Sequence, residues 1–447
     1  MILLDKCLIF DLFYPYEMEG SRTYWRLQMS IDRQELGRRL RCVRESRHYT
    51  QEDIAGVLGI SRSAVVQMEA GNRSIDSIEM MKLSKELGFN PVDLFSEEFH
   101  EERNPVFALF RKDSELANDK DLTHAVSQWS GLCRQFTTLE KLTGADRSFI
   151  APALYRLPVP RNKWEAIQQG NVIADYERNR LKLGSAPVQE LPEIIESQGV
   201  RVGVLPLDDD SISGLFLADD QNGLSILVNG RHSEQRQLFS CAHEYGHLLF
   251  DRQERGTVSR RDDRGEVMEV RANAFAAAFL MPEQGILKFL SGVGKNLDSH
   301  QVQEVYDEEG GAIQGQRRRE AALATVQFYD IVHLASYFGV SYDSALWRLK
   351  SLKLISEDQR AQLAGQSEIA REFRRSFLDS RIPKVQREGQ FQHKLFMLAL
   401  EAYRLGEISK AKLKEIAQEV EISSERLYDF IASVEAKDDT ARPAMVQ

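Results

Sequence analysis

The sequence of 447 residues lacks the features of a membrane or secreted protein. No run approaches the roughly 18 consecutive apolar residues of a membrane-spanning helix. The apolar opening MILLDKCLIFDLFYPY has no basic start and no small-residue cleavage site, and it carries Asp5 and Asp11, which argues against a signal peptide. Only four cysteines occur, without paired spacing, and this favours a reducing compartment over a disulfide framework. These absences predict a cytoplasmic protein with no membrane partner.

A net positive charge is also absent. The formal net charge of −10 at pH 7 argues against a chain that coats nucleic acid along its whole length. Any DNA contact must therefore be confined to a locally basic module. The length and the ordinary apolar content predict a globular protein of about two to four domains.

One locally basic module lies within residues 32–95, which predict short helices with clear boundaries. Thr50 is placed to cap the helix QEDIAGVL, Gly59 supplies a tight corner, and Ser61 is placed to cap RSAVVQMEA. Two short helices about a glycine-containing turn make a helix-turn-helix. An ordinary helical hairpin is the alternative. The preceding helix carries several arginines around its apolar face, namely Arg38, Arg39, Arg41, Arg44 and Arg47.

The second helix of this pair carries side chains suited to reading base edges. Arg62 can bridge guanine O6 and N7, Gln67 can bridge adenine N6 and N7, and Ser63 can serve either base. The segment YTQEDIAGVLGISRSAVVQMEAGNRS resembles the phage-repressor and Cro type of helix-turn-helix, the XRE family. That resemblance implies a five-helix domain that binds a double-stranded DNA operator, with Gln51 on phosphate and with Arg62, Ser63 and Gln67 facing bases. A protein-docking use of the same fold is the alternative.

A long helix is predicted at residues 121–142. Its apolar residues alternate at spacings of three and four over about three heptads: Leu122, Ala125, Trp129, Leu132, Phe136 and Leu139. Such a helix could join two subunits, which suits a homodimer that reads two-fold half-sites. Packing against the next domain is the alternative. Beyond it, residues 166–182 and VQELPEIIESQG predict helices, and VRVGVLPL, ISGLFLAD and LSILVNG predict the short strands of a small sheet.

The stretch CAHEYGHLLF places metal-binding residue types on one buried helix. Residues four apart share a helix face, so His243 and His247 can present both imidazoles to one ion. A catalytic zinc takes three protein ligands and keeps one position open, and Glu244 is placed to act as a general base. A pair of hydrogen-bonded core histidines is the alternative.

A third ligand is expected on EVMEVRANAFAAAFLMP. Glu269 lies beside a small-residue face formed by Ala272, Ala276 and Ala277, which would let this helix approach the HEYGH helix closely. Gly246 would leave room there for another backbone. Glu266, one turn earlier, is the competing ligand.

RQLFSCAHEYGHLLF followed by EVRANAFAAAFLMP resembles the ImmA/IrrE family of zinc metallopeptidases over residues 165–355. The resemblance implies that His243, His247 and Glu269 bind Zn²⁺, with Mn²⁺ as the alternative ion, and that Glu244 is the general base. It implies cleavage of a protein substrate, a helix-turn-helix repressor, in stress responses or mobile-element control. Single-stranded DNA or another ligand is a candidate activator. Three positions depart from the usual pattern without removing a ligand: Cys241, Tyr245 and Arg271.

Two C-terminal segments, HLASYFGVSYDSALWRLKSL and KAKLKEIAQEVEISSERLYDFIA, again have helix-turn-helix spacing. Their outer helices carry side chains unsuited to a phosphate backbone: Leu346, Trp347 and Leu349 in the first, and Glu425, Arg426 and Asp429 in the second. Both therefore predict packing or protein contact. His333 is expected to be a core or surface histidine.

The predicted fold class is α+β and mainly helical, with a zincin-like peptidase domain that contains a small sheet. The predicted segments are an extension (1–29), a helix-turn-helix domain (30–98), a helical connector (99–164), the peptidase domain (165–355) and a helical C-terminal domain (356–447). The favoured function is a DNA-binding regulator with a zinc endopeptidase domain. The alternatives are a transcription factor whose metal domain is a non-proteolytic sensor or scaffold, and a protease whose helix-turn-helix binds protein.

Overall fold

A computed structural model describes most of the chain. The described residues are 31–47, 49–87, 89, 91–95, 106, 109, 119–145, 152–219, 222–254, 256–260, 265–295, 300–306, 312–318, 325–378 and 389–422. The predicted N-terminal extension lies outside these residues, as do Glu425, Arg426 and Asp429. The α+β, mainly helical fold class is confirmed. None of the described helices combines the length and apolarity needed to cross a membrane.

The N-terminal domain has five helices, as predicted: α1 (Arg33–Ser46), α2 (Gln51–Leu58), α3 (Arg62–Glu69), α4 (Ser77–Leu87) and α5 (Pro91–Phe95). Thr50 caps α2 in a capping box with Asp53, because each side chain satisfies a backbone N–H of the other residue. Gly59 ends α2 with φ of 72°, a left-handed conformation that glycine adopts without strain. The Ser61 hydroxyl accepts from the Ala64 N–H and begins α3. The predicted caps of Thr50 and Ser61 and the predicted corner at Gly59 are confirmed.

The arginines of α1 do not form the basic surface that their number in the sequence suggests. Arg39, Arg44 and Arg47 are buried. Arg44 Nε donates to Glu69 Oε1 at 2.5 Å, and Arg47 donates to the Leu87 carbonyl, so these side chains hold α1 against later helices. The exposed arginines of α1 also have acidic partners, since Arg38 pairs with Glu35 and Arg41 pairs with Glu45.

The second part of the chain is built around a four-stranded sheet. Its elements begin with α6 (Lys120–Thr143), α7 (Lys163–Arg180), α8 (Leu191–Glu196), β1 (Val200–Leu205), β2 (Ile212–Asp219) and β3 (Gly223–Asn229). They continue with α9 (Glu234–Phe250), β4 (Gly256–Arg260), α10 (Val267–Leu280) and α11 (Glu283–Gly292). The strand order is β1-β3-β2-β4, in which β1 runs parallel to β3 and the other pairs are antiparallel. The first three strands were predicted, whereas β4 was not.

Alternate residues of the sheet face two hydrophobic cores, as the two-residue period of a strand requires. Phe216 and Ile226 belong to the core shared with α7, α9 and α10, and Leu215, Leu227 and Val258 belong to the core shared with α6 and α16 (Gln390–Arg404). The apolar face of α6 is therefore covered within the chain. This agrees with the packing alternative for that helix and leaves the predicted dimer without an assigned surface.

The remaining elements of the described residues are two strands and five helices. They are β5 (His300–Tyr306), β6 (Ala312–Arg318), α12 (Phe328–Phe338), α13 (Tyr342–Ser351), α14 (Glu357–Ala364), α15 (Ser367–Phe377) and α17 (Lys410–Glu419). Strands β5 and β6 form a separate antiparallel pair. Leu346 and Leu349 of α13 are buried, which agrees with the predicted packing role, whereas Trp347 is exposed between Lys350 and Arg360. His333 is a surface residue.

Candidate metal centre and DNA-binding helix

The centre of the candidate site is α9, a helix whose last fourteen residues are almost entirely buried. His243 and His247 lie one turn apart, and their Nε2 atoms are 3.1 Å apart. The buried part of the helix packs against β2, β3 and α10, so both imidazoles lie within the core. The spacing of the two histidines therefore brings their ring nitrogens to one point, as predicted.

Glu269, in the first turn of α10, reaches the same point. Its Oε1 lies 3.0 Å from His247 Nε2, and its Oε2 lies 3.1 Å from His243 Nε2. One ligand atom from each residue lies within 4.8 Å of the others. Glu266 is instead the exposed N-cap residue of α10 and is not part of this group. Of the two candidate carboxylates, the structure brings Glu269 to the histidines.

Side chains behind the two imidazoles fix their orientation. Asp251 Oδ2 accepts from His247 Nδ1 at 2.8 Å, and Asn273 Oδ1 lies 3.1 Å from His243 Nδ1. Arg271 donates to the other oxygen of Asp251 at 2.5 Å and stacks over the Phe250 ring. Such outer contacts set the tautomer of a metal-binding histidine. They leave both Nε2 atoms facing Glu269.

The side chains of His243, His247 and Glu269 together form a site that favours positive charge. Burial opposes charging of His247, but its hydrogen bonds to Asp251 and Glu269 outweigh this and raise its pKa to about 10. Burial also acts against ionised Glu269, yet the hydrogen bonds to His243 and His247 hold its pKa well below the usual range. Because an imidazole must be neutral to bind a metal ion, a proton and a cation compete for this cluster.

The donor set fits a divalent metal ion. Zinc binds imidazole nitrogen and carboxylate oxygen at about 2.0–2.2 Å, so two ligands in a tetrahedral arrangement lie roughly 3.3 Å apart. The distances of 3.0–3.1 Å between the atoms of His243, His247 and Glu269 are close to that spacing. The cluster is therefore a possible His-His-Glu metal site with three protein ligands, the number typical of catalytic zinc.

Glu244 lies next to this cluster but does not join it. Its side chain is 0% exposed, and neither carboxylate oxygen has a hydrogen-bond partner among the described residues. Burial raises its pKa, against the opposing effect of His243 and His247. Gly214 of β2 makes room for it, because a Cβ there would lie 3.1 Å from Glu244 Cγ. A buried carboxyl group with an unmet hydrogen-bonding capacity is unusual and marks a candidate functional group.

Ser259 of β4 is a neighbour of the site that the sequence analysis missed. Its Oγ lies 3.1 Å from His243 Nε2, the same atom that faces Glu269. The Ser259 hydroxyl also acts to lower the pKa of Glu244, although it does not form a hydrogen bond with either carboxylate oxygen. The only sequence signal was the short alternating segment GTVSR, which is typical of an edge strand but carries no metal-binding pattern.

Two sequence expectations about close packing differ from the structure. A Cβ at Gly246 would lie 2.9 Å from the Phe275 ring, so this glycine makes room for the side chain of Phe275 and not for the backbone of another helix. The close backbone approach to α10 occurs instead at Gly170 of α7, where a Cβ would lie 2.5 Å from the Arg271 carbonyl oxygen.

The departures from the family pattern have structural explanations. Tyr245 is buried and donates to Glu177 Oε1 at 2.5 Å, in a cluster that includes Arg180. This ties α9 to α7. Cys241 lies in the hydrophobic core.

The recognition helix of the N-terminal domain presents its polar side chains outward. Arg62, Ser63 and Gln67 are all exposed on α3, and Val66, which was not among the predicted contacts, is 39% exposed beside them. An exposed valine suits contact with a thymine methyl group. Gln51 donates to Glu69 Oε2 at 2.9 Å from the start of α2, so its amide is held in place by α3.

Comparisons with known protein families give a match for the N-terminal domain and a match for the part of the chain that contains the metal centre. Residues 26–94 match the family described as helix-turn-helix, and residues 195–306 match the family described as IrrE N-terminal-like domain, a peptidase family. No curated protein matches the chain at a significant level. The helix-turn-helix domain implies binding of double-stranded DNA, and the peptidase-like domain implies a protein substrate. The chain is therefore a fusion of an XRE-type helix-turn-helix domain with an ImmA/IrrE-like, metallopeptidase-like domain.

Proposed function

We propose that this protein is a DNA-binding transcriptional regulator that also acts as a zinc-dependent endopeptidase. The observation that carries the proposal is the convergence of His243, His247 and Glu269 on one point, with the unpartnered carboxyl group of Glu244 beside them. A purely structural zinc site is closed by a fourth protein ligand and has no need of an adjacent base. In this proposal Arg62, Ser63 and Gln67 read an operator and Gln51 contacts phosphate.

The residues of the site have distinct roles in this proposal. His243, His247 and Glu269 would hold Zn²⁺, with Mn²⁺ as the alternative ion, and the ion would supply the positive charge that polarises a peptide carbonyl and acidifies water. Glu244 accepts the proton of the attacking water and later donates it to the departing amine. Burial raises the pKa of Glu244, which favours the later donation of that proton. Asp251 and Asn273 keep the two imidazoles oriented.

We propose a helix-turn-helix repressor or a related partner as the protein substrate. The fusion supports this proposal, because a DNA-binding domain would bring the peptidase domain to proteins bound at the same operator. A stress signal or a mobile element is the expected context, with single-stranded DNA as a candidate activator. A homodimer is proposed on the basis of two-fold operators.

The alternative is a transcription factor whose metal domain is a sensor or scaffold. One observation favours it: His243, Glu244, His247 and Glu269 are each 5% exposed or less, so a protein chain has no direct access to them.

The Glu244→Gln variant separates the two functions. The side chain is not a proposed ligand, so the metal content and the DNA affinity should remain those of the wild type. Loss of a general base typically slows a reaction by roughly two to four orders of magnitude. Both proteins are incubated, with Zn²⁺ or Mn²⁺ and with or without single-stranded DNA, with the repressors encoded beside the gene, and discrete fragments are measured.

Glu234→Gln is the matched control, because it makes the same change at an exposed position of the same helix. Its cleavage rate should equal that of the wild type. If the Glu244→Gln variant regulates its target genes in cells as the wild type does, the sensor or scaffold function is correct and the peptidase function is wrong.

A further inference from the structure

The candidate site is closed by the protein itself. Glu244 is 0% exposed and His247 is 1% exposed, yet a peptidase must admit both water and an extended peptide to these groups. One buried side chain beside these groups is Ser259, itself 2% exposed, whose Oγ lies 3.1 Å from His243 Nε2. Some element must therefore move before a substrate binds.

Strand β4, which carries Ser259, is the element whose position best fits such a movement. It lies at the edge of the sheet, whereas β2, whose Gly214 also contacts Glu244, lies between β3 and β4. Ser259 is the register partner of Gly214, so both residues lie on the same face of the sheet, the face on which a Gly214 Cβ would meet Glu244. Extended peptides commonly bind proteins by adding a strand to a sheet edge. The edge of β2 that would receive such a peptide is the one that β4 occupies.

The attachment of β4 is limited. The strand has five residues and pairs with β2 alone among the described strands. The pairing is irregular between Ile212 and Gly214, at the end next to Ser259. Val258 packs into the core shared with α6 and faces away from the site.

The chemistry of serine also favours a reversible closure. The usual protein ligands of zinc are thiolate, imidazole and carboxylate, and a neutral hydroxyl group is a weaker donor than any of them. A permanent fourth ligand would more suitably be a cysteine, a histidine or an acidic residue. A hydroxyl group in the open position of such a site would therefore be displaced more readily than any of these ligands.

We propose that β4 is an internal inhibitory strand, in which Ser259 occupies the open position of the metal site and β4 occupies the sheet edge that an extended protein substrate would take. The inhibitory role of β4 rests on the proposed peptidase function. The position of Ser259 and the movement of β4 can be measured without any cleavage.

The first experiment tests the position of Ser259 with Co²⁺ and the Ser259→Cys variant. A thiolate bound to Co²⁺ gives an intense near-ultraviolet charge-transfer band, and we expect this band at one ion per chain, with an affinity for Co²⁺ at least about tenfold above the wild type because thiolate is the stronger ligand. Val258→Cys is the matched control, since its side chain faces the opposite core. The wild-type protein shows whether the native thiol of Cys241 contributes to the band. A folded Ser259→Cys protein that binds Co²⁺ without the band would overturn the proposal.

The second experiment tests the movement of β4. Leu215 and Val258 are register partners on adjacent strands, so a Leu215→Cys/Val258→Cys protein can lock β4 to β2 by a disulfide that reduction releases. We expect a chelator to remove Co²⁺ at least about tenfold more slowly from the oxidised protein than from the same protein after reduction. The single variant Leu215→Cys should show no such difference. Equal removal rates with the disulfide demonstrably formed would overturn the proposal.

Cleavage assays then separate this inference from the proposed function. If both cobalt results are as expected but no variant cleaves any repressor, β4 closes the site and the peptidase function is wrong. If the wild type cleaves a repressor and the locked protein cleaves it as fast before reduction as after, the peptidase function stands and the inhibitory strand is wrong. Ser259→Ala, which removes only the hydroxyl group, should cleave faster than the wild type.

Discussion

The Arg271–Asp251–His247 chain predicts a large effect of a small substitution. In the Asp251→Asn variant one oxygen can still accept from His247 Nδ1, but the amide NH₂ then faces the guanidinium of Arg271, which also only donates. Either the bond to His247 or the bond to Arg271 is lost. Both side chains are nearly inaccessible to water, which therefore cannot replace the lost partner.

Two measurable losses follow from this geometry. Loss of an outer partner of a metal-binding histidine typically lowers metal affinity about 10- to 100-fold, which is about 1.4–2.8 kcal/mol. The metal-free protein should also lose about 3–5 kcal/mol of unfolding free energy, because Arg271 is left as a buried charge without its counterion. Competition with a chromophoric chelator measures the first loss, and urea unfolding with EDTA measures the second.

Asp358→Asn is the control for Asp251→Asn, because it makes the same change at an exposed position of α14. Neither its metal affinity nor its stability should fall by more than about 0.5 kcal/mol. An Asp251→Asn protein that is destabilised but binds metal with wild-type affinity would refute the role of Asp251 in orienting His247.

Three further predictions concern the metal, its linked protons and the DNA. Because the pKa of His247 is raised to about 10, the imidazole holds a proton at pH 7 that a metal ion must displace. Calorimetry in buffers of different ionisation enthalpy should therefore show release of about one proton when the metal ion binds. The affinity for the metal ion should rise about tenfold per pH unit between pH 7 and 9. Elemental analysis should show that Glu269→Gln loses the metal and Glu266→Gln keeps it, and the reverse result would move the third ligand. Arg62→Ala should cost about 1–3 kcal/mol at a specific operator in gel shifts and blur its sequence preference, whereas Gln51→Ala should weaken all sequences alike; equal operator binding by Arg62→Ala and wild type would contradict the role of α3.

The parts of the fold that sequence predicts well are those with local physical causes. Thr50, Gly59 and Ser61 each determine a helix boundary through a hydrogen bond or a backbone conformation within four residues. His243 and His247 share a face because of helical geometry alone. Asp251 could have been found by the same argument, because it lies one further turn along the chain on the same face.

The parts that were missed depend on residues far apart in the sequence. Ser259 reaches the site only because β4 pairs with β2, and nothing in GTVSR specifies which strand it joins. Gly170 meets α10 across about a hundred residues of sequence, so its role could not be read from the small residues of α10 alone.

The arginines of α1 show how a long-range contact changes a functional expectation. Counted along the sequence, they predict a strongly basic surface, but Arg44 is buried against Glu69 of α3, 25 residues away, and burial lowers the pKa of Arg47 to about 9. The charges of Arg38 and Arg41 are offset by neighbouring glutamates. Each phosphate neutralised by a free cation contributes about −0.9 to the slope of log K against log salt. The buried and paired arginines of α1 should therefore add little to that slope, and specific binding should depend more on the contacts of α3 with base edges than the sequence count suggests.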